Sequence, residues 1–250
     1  MLKLVLASLQ AQRRLPDEVI IADDGSGEMT RRVVESYAGV LPRRVEHCWQ
    51  TDAGYRKARI MNQALRRATA DYLILIDGDM LLHPCFVSDH LRAARPGRYT
   101  QGRRVCLTPA GSARRLRRGD SRVRFRDGGF NRPLHMIRNQ LLMRWQSVEN
   151  RSLDKSMGCN QAFWRQDLLE INGFEERFQG WGREDSELCA RMHNLGRTRL
   201  YLRHWALAYH MYHPARSRNR DDLNQQLLAD TVSSGRVRAA QGLDGERQAA

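Results

Sequence analysis

Apolar residues recur over the first twelve positions at helical spacing. Leu2, Val5, Leu6 and Leu9 fall on one face, which predicts an amphipathic helix over Met1–Gln12. Pro16-Asp17 ends it. Glu18-Val-Ile-Ile-Ala22 is a short apolar run of the kind found in buried strands, and Asp23-Asp-Gly-Ser26 is the turn that leaves it. A helix over Met29–Tyr37 and a strand over Arg44–Cys48 follow. Tyr55–Thr69 then forms an amphipathic helix with Ile60, Ala64, Leu65 and Ala68 inward, and Asp71–Ile76 a second buried strand. Strands that alternate with helices predict an α/β fold with a mostly parallel central sheet covered by helices on both faces. In such sheets ligands sit at the carboxyl ends of strands. Further along, Leu134–Trp145 and Phe163–Ile171 are predicted as helices, and Glu184–Leu195 as a helix closed by Gly196. Trp205–Tyr209 is strand-like. From about Pro214 the chain turns polar, and its last dozen residues are expected to fray. No internal repeat or second domain shows.

Composition narrows the class. No apolar run reaches the roughly 18–20 residues that span a bilayer. The opening stretch has one lysine and no cleavage-site pattern, so it reads as a helix and not as a leader. The five cysteines, Cys48, Cys85, Cys106, Cys159 and Cys189, form no Cys-x-x-Cys pair. That argues against a zinc knuckle and suits reduced thiols in a cytosol. The formal net charge is +14, and nearly all of it is arginine, since lysine occurs only at Lys3, Lys57 and Lys155. Codon bias in a GC-rich genome is one source of such a surplus. The functional source is an anionic partner: a diphosphate ligand, an anionic membrane face or nucleic acid. Twelve arginines lie between Arg92 and Arg126 against the single acid Asp120, which predicts a mobile basic segment. No helix-turn-helix, zinc finger or aromatic RNP motif accompanies the charge.

Both acidic turns, Asp23-Asp24 and Asp77-Gly-Asp79, fall where strands end. Two carboxylates one residue apart can share a divalent cation and a ribose, because Mg²⁺ and Mn²⁺ favour carboxylate and phosphate oxygens. Gly180-Trp-Gly-Arg-Glu-Asp185 places two glycines beside an indole that can carry a sugar ring, then two carboxylates that open a helix. One of these could act as general base toward a hydroxyl; helix capping alone would also account for the pair. His210-Met-Tyr-His213 follows the strand-like run, where His210 could complete a metal shell or be structural.

In order, Val19–Ser26, Asp77-Gly-Asp79, Gly158-Cys-Asn160, Asn172-Gly-Phe174, Gly180–Asp185 and His210 resemble glycosyltransferase family 2. The second half resembles the C-terminal module shared with β-1,4-galactosyltransferases and bacterial chondroitin-type polymerases. The resemblance covers roughly residues 1–214 and implies a GT-A fold with a nucleotide-binding half (1–91), a basic variable segment (92–150), an acceptor and catalytic half (151–214) and a polar tail (215–250). It implies an inverting, metal-dependent transfer from a nucleotide-diphospho-sugar, a UDP-sugar above all, to a saccharide or lipid-linked acceptor in bacterial surface polysaccharide synthesis. By the same resemblance Asp23, Asp24, Arg59, Asn62, Asp77, Gly158, Cys159 and Asn160 would bind the nucleotide sugar. Asp77, Asp79 and His210 would hold Mn²⁺ or Mg²⁺. Asp185 would be the base, with Glu184, Trp181 and Gly182 at the acceptor.

There are two departures. Relatives place an arginine where Met61 stands, so Arg59, one turn before Asn62, is carried in its place. Relatives also begin with an apolar strand ahead of the helix that opens this chain, and a misassigned start codon is the preferred explanation. The expected location is the cytoplasm, peripheral at the inner face of the membrane, with no specific nucleic acid. The alternative functions are a basic nucleic-acid-binding protein and a truncated, non-catalytic remnant.

Overall fold

The computed structural model describes residues 1–41, 44–154, 156–214 and 220–246. The first third runs α1 (Leu2–Gln10), β1 (Glu18–Asp23), α2 (Glu28–Glu35), β2 (Arg44–Trp49), α3 (Lys57–Arg67), β3 (Tyr72–Ile76) and β4 (Met80–Leu82). The middle adds α4 (Phe86–Ala93), β5 (Arg98–Gln101), β6 (Arg104–Cys106), α5 (Pro109–Arg118), α6 (Gln140–Gln146) and β7 (Val148–Asn150). The last part is β8 (Asn160–Trp164), α7 (Arg165–Glu170), α8 (Glu184–Asn194), β9 (Thr198–Tyr201), β10 (Ala208–His210) and α9 (Asp221–Ser234).

The strands form three hydrogen-bonded groups: β1-β2, β3-β8-β5-β9-β7 and β4-β10-β6. Parallel ladders join β1 to β2, β5 to β9 and β6 to β10, while β8 runs antiparallel between β3 and β5. The sheet is therefore mixed, a correction to the mostly parallel arrangement expected from the first three strands. β4 with β10 and β7 with β9 are antiparallel as well, and the end of β8 overlaps the run read as the helix Phe163–Ile171. Asn160–Trp164 is strand, and the helix starts only at Arg165. β1 pairs with β2 alone and β3 with β8 alone. Among the described residues no strand joins their other edges, and Val19–Ile21 and Leu73–Ile76 are only half-buried.

The basic stretch is corrected too. It holds the end of α4, then β5, β6 and α5, in place of the mobile loop expected. Thr108 caps α5 by accepting from the Gly111 amide at 3.1 Å, and left-handed Gly119 closes it. The predicted Leu134–Trp145 helix is split. Pro133–Met136 is one 3₁₀ turn and α6 begins after Asn139, whose side chain accepts from the Leu141 and Leu142 amides.

The apolar stripe of α1 explains its place. Leu6 and Leu9 pack with Met80, Leu82, Phe86 and Trp205, with Val19, Ile21, Ile74 and Ile76 against them. A second cluster around Tyr99, Phe163, Leu188 and Met192 joins α8 to the long sheet. A third, with Leu4, Val105, Met136 and Tyr209, lies on the β4-β10-β6 strands. Under the sheet, neutral His90 lies between Thr100 Oγ1 (2.8 Å) and Asn160 Oδ1 (2.8 Å). Burial lowers its pKa to about 4.

The C-terminal segment is docked, against the expectation of fraying. Ala239 N donates to Ile171 O at 2.9 Å and Leu243 N to Asn172 O at 3.2 Å. Residues 247–250 lie outside the described residues. No helix among the described residues is long and apolar enough to cross a membrane.

Candidate active site

Sheet register brings distant residues together. In the β4–β10 ladder His210 stands opposite Met80, so it meets Asp79, the residue before Met80. In the β3–β8 ladder Ile76 stands opposite Asn160, which sets Gly158 and Cys159 beside the Asp77 turn. The Met211 amide donates to Asp79 O at 3.0 Å and fixes the turn after β10. That turn carries His213 onto the same carboxylate. His213 Nε2 lies 3.0 Å and His210 Nε2 3.5 Å from Asp79 Oδ2.

Asp79, His210 and His213 offer three ligand atoms within 4.8 Å of one another. Asp79 Oδ1 is buried with no hydrogen-bond partner. Burial pushes the Asp79 carboxyl up, and burial together with the Arg104 and His213 charges pushes His210 down. A carboxylate with an orphaned oxygen beside two imidazoles is a donor set that fits a divalent cation. Asp77 is not one of the three. Its Oδ1 lies 3.6 Å from Lys57 Nζ.

Lys57, at the start of α3, is the centre of a second group. Its ammonium lies 3.3 Å from Glu184 Oε1 and 3.2 Å from Asp185 Oδ1. Burial opposes the charge on Lys57, but Asp185, Asp77 and Glu184 outweigh it and hold its pKa well above the ordinary value. Burial and the Asp185 charge push the Glu184 carboxyl up. Asp185 Oδ2 also accepts from the Gly158 amide at 2.8 Å. A Cβ at position 158 would collide with that carboxylate and push it from its place.

The Gly-Trp-Gly loop reaches this group through left-handed Gly180 (φ 74°) and Gly182 (φ 113°). Gly180 N donates to Tyr55 O at 3.0 Å, and Gly182 O accepts from Asn224 of α9 at 2.9 Å. Trp181 is exposed on the loop.

At the carboxyl ends of β1 and β2, a cleft of about 430 Å³ is lined by Trp49, Gln50, Thr51, Arg56, Arg59 and Gln63. Asp24 borders it, accepting from Gln50 Nε2 and from the Arg56 amide, both at 2.6 Å. Buried Asp23 accepts from Ser26 N and pairs with His47 Nε2, each at 2.8 Å. Burial would raise its pKa, but those bonds hold it below the ordinary value.

Two candidates are placed differently from expectation. Asn62 is fully buried. It donates to Phe174 O (2.9 Å) and Glu176 Oε1 (2.8 Å) and accepts from the Phe174 amide, so its amide clamps a loop and faces no cleft. Asn160 is engaged by Ala206 O, Arg103 O and His90. Both bond inward because a buried amide must satisfy its polar atoms wherever partners exist. Cys159 is buried as well, and burial pushes its thiol up to about 12.

The model of glycosyl transferase family 2 matches residues 1–161. The chain belongs to glycosyltransferase family 2. A second model, described as the N-terminal domain of galactosyltransferase, matches residues 146–214 of this family member. The chain is 31% identical over 218 residues to validoxylamine A glucosyltransferase of Streptomyces hygroscopicus subsp. limoneus, covering 76% of this chain and 44% of the relative. It is 26% identical to chondroitin synthase of Escherichia coli, covering 92% and 36%. The chain thus spans less than half the length of these two relatives. S. aureus TarS 1-349 in complex with UDP-GlcNAc superposes with a TM-score of 0.61 at 14% identity, covering 99% of this chain and 66% of that one. The fold is GT-A, as the resemblance implied.

Within this family frame, sequence reasoning missed Lys57 and the convergence of His213 on Asp79. One signal pointed to Lys57. In a chain whose basic positions are almost all arginine, a lysine opens α3 two residues after Tyr55. His213 was visible only as the second histidine of a His-x-x-His, and its spacing becomes informative once β10 is known to end at His210.

Proposed function

We propose that this chain transfers a sugar, with inversion, from a UDP-sugar to a hydroxyl of a saccharide or lipid-linked acceptor, in bacterial surface polysaccharide synthesis in the cytoplasm. The observation that carries the reading is the adjacency of two groups: Asp79 with His210 and His213, and Asp77, Glu184 and Asp185 around Lys57. A divalent cation held by Asp79, His210 and His213 would supply positive charge to a bound diphosphate.

The rest is done by the chain's own residues. The cleft with Trp49 and Arg59 beside Asp23 and Asp24 takes the nucleoside, and residues 1–91 form the donor half. Residues 151–214 form the acceptor half, where Trp181 and Gly182 border the acceptor beside Glu184. Asp185 takes the proton of the attacking hydroxyl. A carboxylate has about four lone-pair sites, so the bonds from Lys57 and Gly158 leave room for that hydroxyl. The hydroxyl oxygen bonds to the anomeric carbon as the bond to the diphosphate breaks, and the diphosphate leaves with the electron pair. Lys57 holds Asp185 and Asp77 in register across the reacting bond. Similarity to a validoxylamine A glucosyltransferase and a chondroitin synthase supports the assignment to saccharide chemistry.

Calorimetry of UDP binding, with Mn²⁺ and with EDTA, tests the metal part. Wild-type protein is expected to bind UDP more tightly with Mn²⁺, and Asp79→Ala to bind it equally in both. An Asp79→Ala protein that still responds to Mn²⁺ would remove Asp79 from the ligand set.

A further inference from the structure

The segment from α5 to α6 contributes no residue to the groups around Asp79 and Lys57. Its inner side is built normally. Val123, Phe130 and Met136 pack into the cluster on the β4-β10-β6 strands, and Met143 of α6 packs against the cluster around α1. Four of its large apolar residues stand in the open. Trp145 is 88% exposed, Leu141 74%, Leu134 70% and Phe125 62%. Leu141 and Trp145 are four apart on α6, with Arg144 between them, so they share the helix's outer face. A short helix with apolar residues on both its inner and its outer face has something other than water to meet.

Charge is concentrated in the same segment. Residues 114–144 hold ten arginines against Asp120 and Asp127. Both acids are already engaged by Arg115, at 3.8 and 2.9 Å. Among the described residues Arg117, Arg118, Arg126 and Arg144 make no ion pair, and Arg118 and Arg126 line one cleft of about 400 Å³ flanking Phe125.

We propose that this outer face docks peripherally on an anionic lipid surface. The guanidinium groups meet lipid phosphates, and Trp145, Leu141, Leu134 and Phe125 enter the headgroup and upper acyl region. Three features select this occupant. A nucleic acid or an anionic polysaccharide would use the arginines and could stack on Trp145, but would leave the two leucines in water. A second copy of the chain would bring the same positive surplus against itself, which opposes self-association. The net charge of +14 favours an anionic occupant in the same direction.

The test is vesicle flotation of the full chain with phosphatidylcholine alone and with phosphatidylcholine mixed with phosphatidylglycerol. The chain is expected to float with the mixed vesicles, less so as salt rises, with a blue shift of tryptophan emission. Trp145→Ser with Leu141→Ser is expected to lose the blue shift. Arg117→Glu with Arg118→Glu is expected to lower partitioning by about 10-fold or more. All four positions are exposed, so UDP binding should be unchanged, which separates failure here from failure of the transferase reading. Equal binding to neutral vesicles, or unchanged partitioning in the Trp145→Ser, Leu141→Ser protein, would overturn the proposal. So would tighter binding to duplex DNA than to anionic vesicles, or a dimer that depends on Trp145.

Discussion

Asp185→Asn is expected to lower sugar transfer by about 10²- to 10⁴-fold while leaving UDP affinity nearly unchanged. The asparagine keeps the size of the side chain and one carbonyl oxygen. That oxygen can still accept from the Gly158 amide, which now meets Asp185 Oδ2 at 2.8 Å. The ammonium of Lys57 would keep Asp77 and Glu184 as partners. What disappears is the ability to take a proton from the acceptor hydroxyl. The loss should therefore appear in kcat and not in nucleotide binding. Glu184 is a poor substitute, because burial and the Asp185 charge push its carboxyl up and its oxygen faces Lys57. Transfer assays beside UDP calorimetry check this. Near-normal turnover in a folded Asp185→Asn protein would move the base to Glu184.

Arg191→Met is expected to destabilise the fold by about 3–5 kcal/mol, a large part of a usual net stability of roughly 5–15 kcal/mol. Arg191 is fully buried. Its Nε and Nη2 each donate to Glu187 at 2.8 Å, and its Nη1 donates to Ile171 O and Gly173 O, each at 2.7 Å. Thr231 of α9 adds a hydroxyl donor to Glu187 at 3.1 Å. Methionine would strand a buried carboxylate and two buried carbonyls. At about 2–4 °C per kcal/mol for a chain of this size, the thermal midpoint should fall by roughly 6–20 °C. Adding Glu187→Leu should restore part of this by removing the unpaired charge. It should not restore all of it, since the two carbonyls still lack a donor. Glu187 and Arg191 lie one and two turns into α8, so this buried polar group anchors the helix whose first residues are Glu184 and Asp185. An unchanged midpoint in Arg191→Met would show that the helix is held by its apolar contacts alone.

The two predictions rest on parts of the molecule that were legible in the sequence to different degrees. The first half was easy to read because local patterning decides it. The α1 stripe and the two apolar strands β1 and β3 carry strong single-period signals, and their ends agree with the structure to within a few residues. The antiparallel strand β8 was not readable in this way. Asn160-Gln-Ala-Phe-Trp164 has polar residues whose burial makes sense only once His90, Gln101 and Cys189 are beside them. The arginine-rich segment misled for a related reason. Charge density suggested a mobile loop, yet Arg115 and Arg138 are half of ion pairs with Asp127 and Asp89 that hold the segment down. A short-range pattern cannot reveal partners separated by 12 or 49 residues.

The site was legible as a set of carboxylates and histidines, but not as a geometry. Asp79 and His210 were named together on resemblance, and the β4–β10 register brings them together. Asn62 and Asn160 were named on the same grounds and turn out to bond inward, because neighbouring backbone groups needed their amides. Lys57 was passed over because a single lysine at a helix start has no pattern of its own. Its meaning comes from three carboxylates, up to 128 residues away, that fold around it.

A one-step, metal-dependent transfer from a UDP-sugar must invert the anomeric carbon and must fail without the metal. Proton NMR of the reaction with a panel of UDP-sugars, with Mn²⁺ and with EDTA, tests it most directly, because the coupling at the anomeric proton reports configuration as the product forms. The expected product has the anomeric configuration opposite to the donor's, and its formation stops in EDTA. A product that retains the donor's configuration, or one that forms equally fast in EDTA, would contradict it.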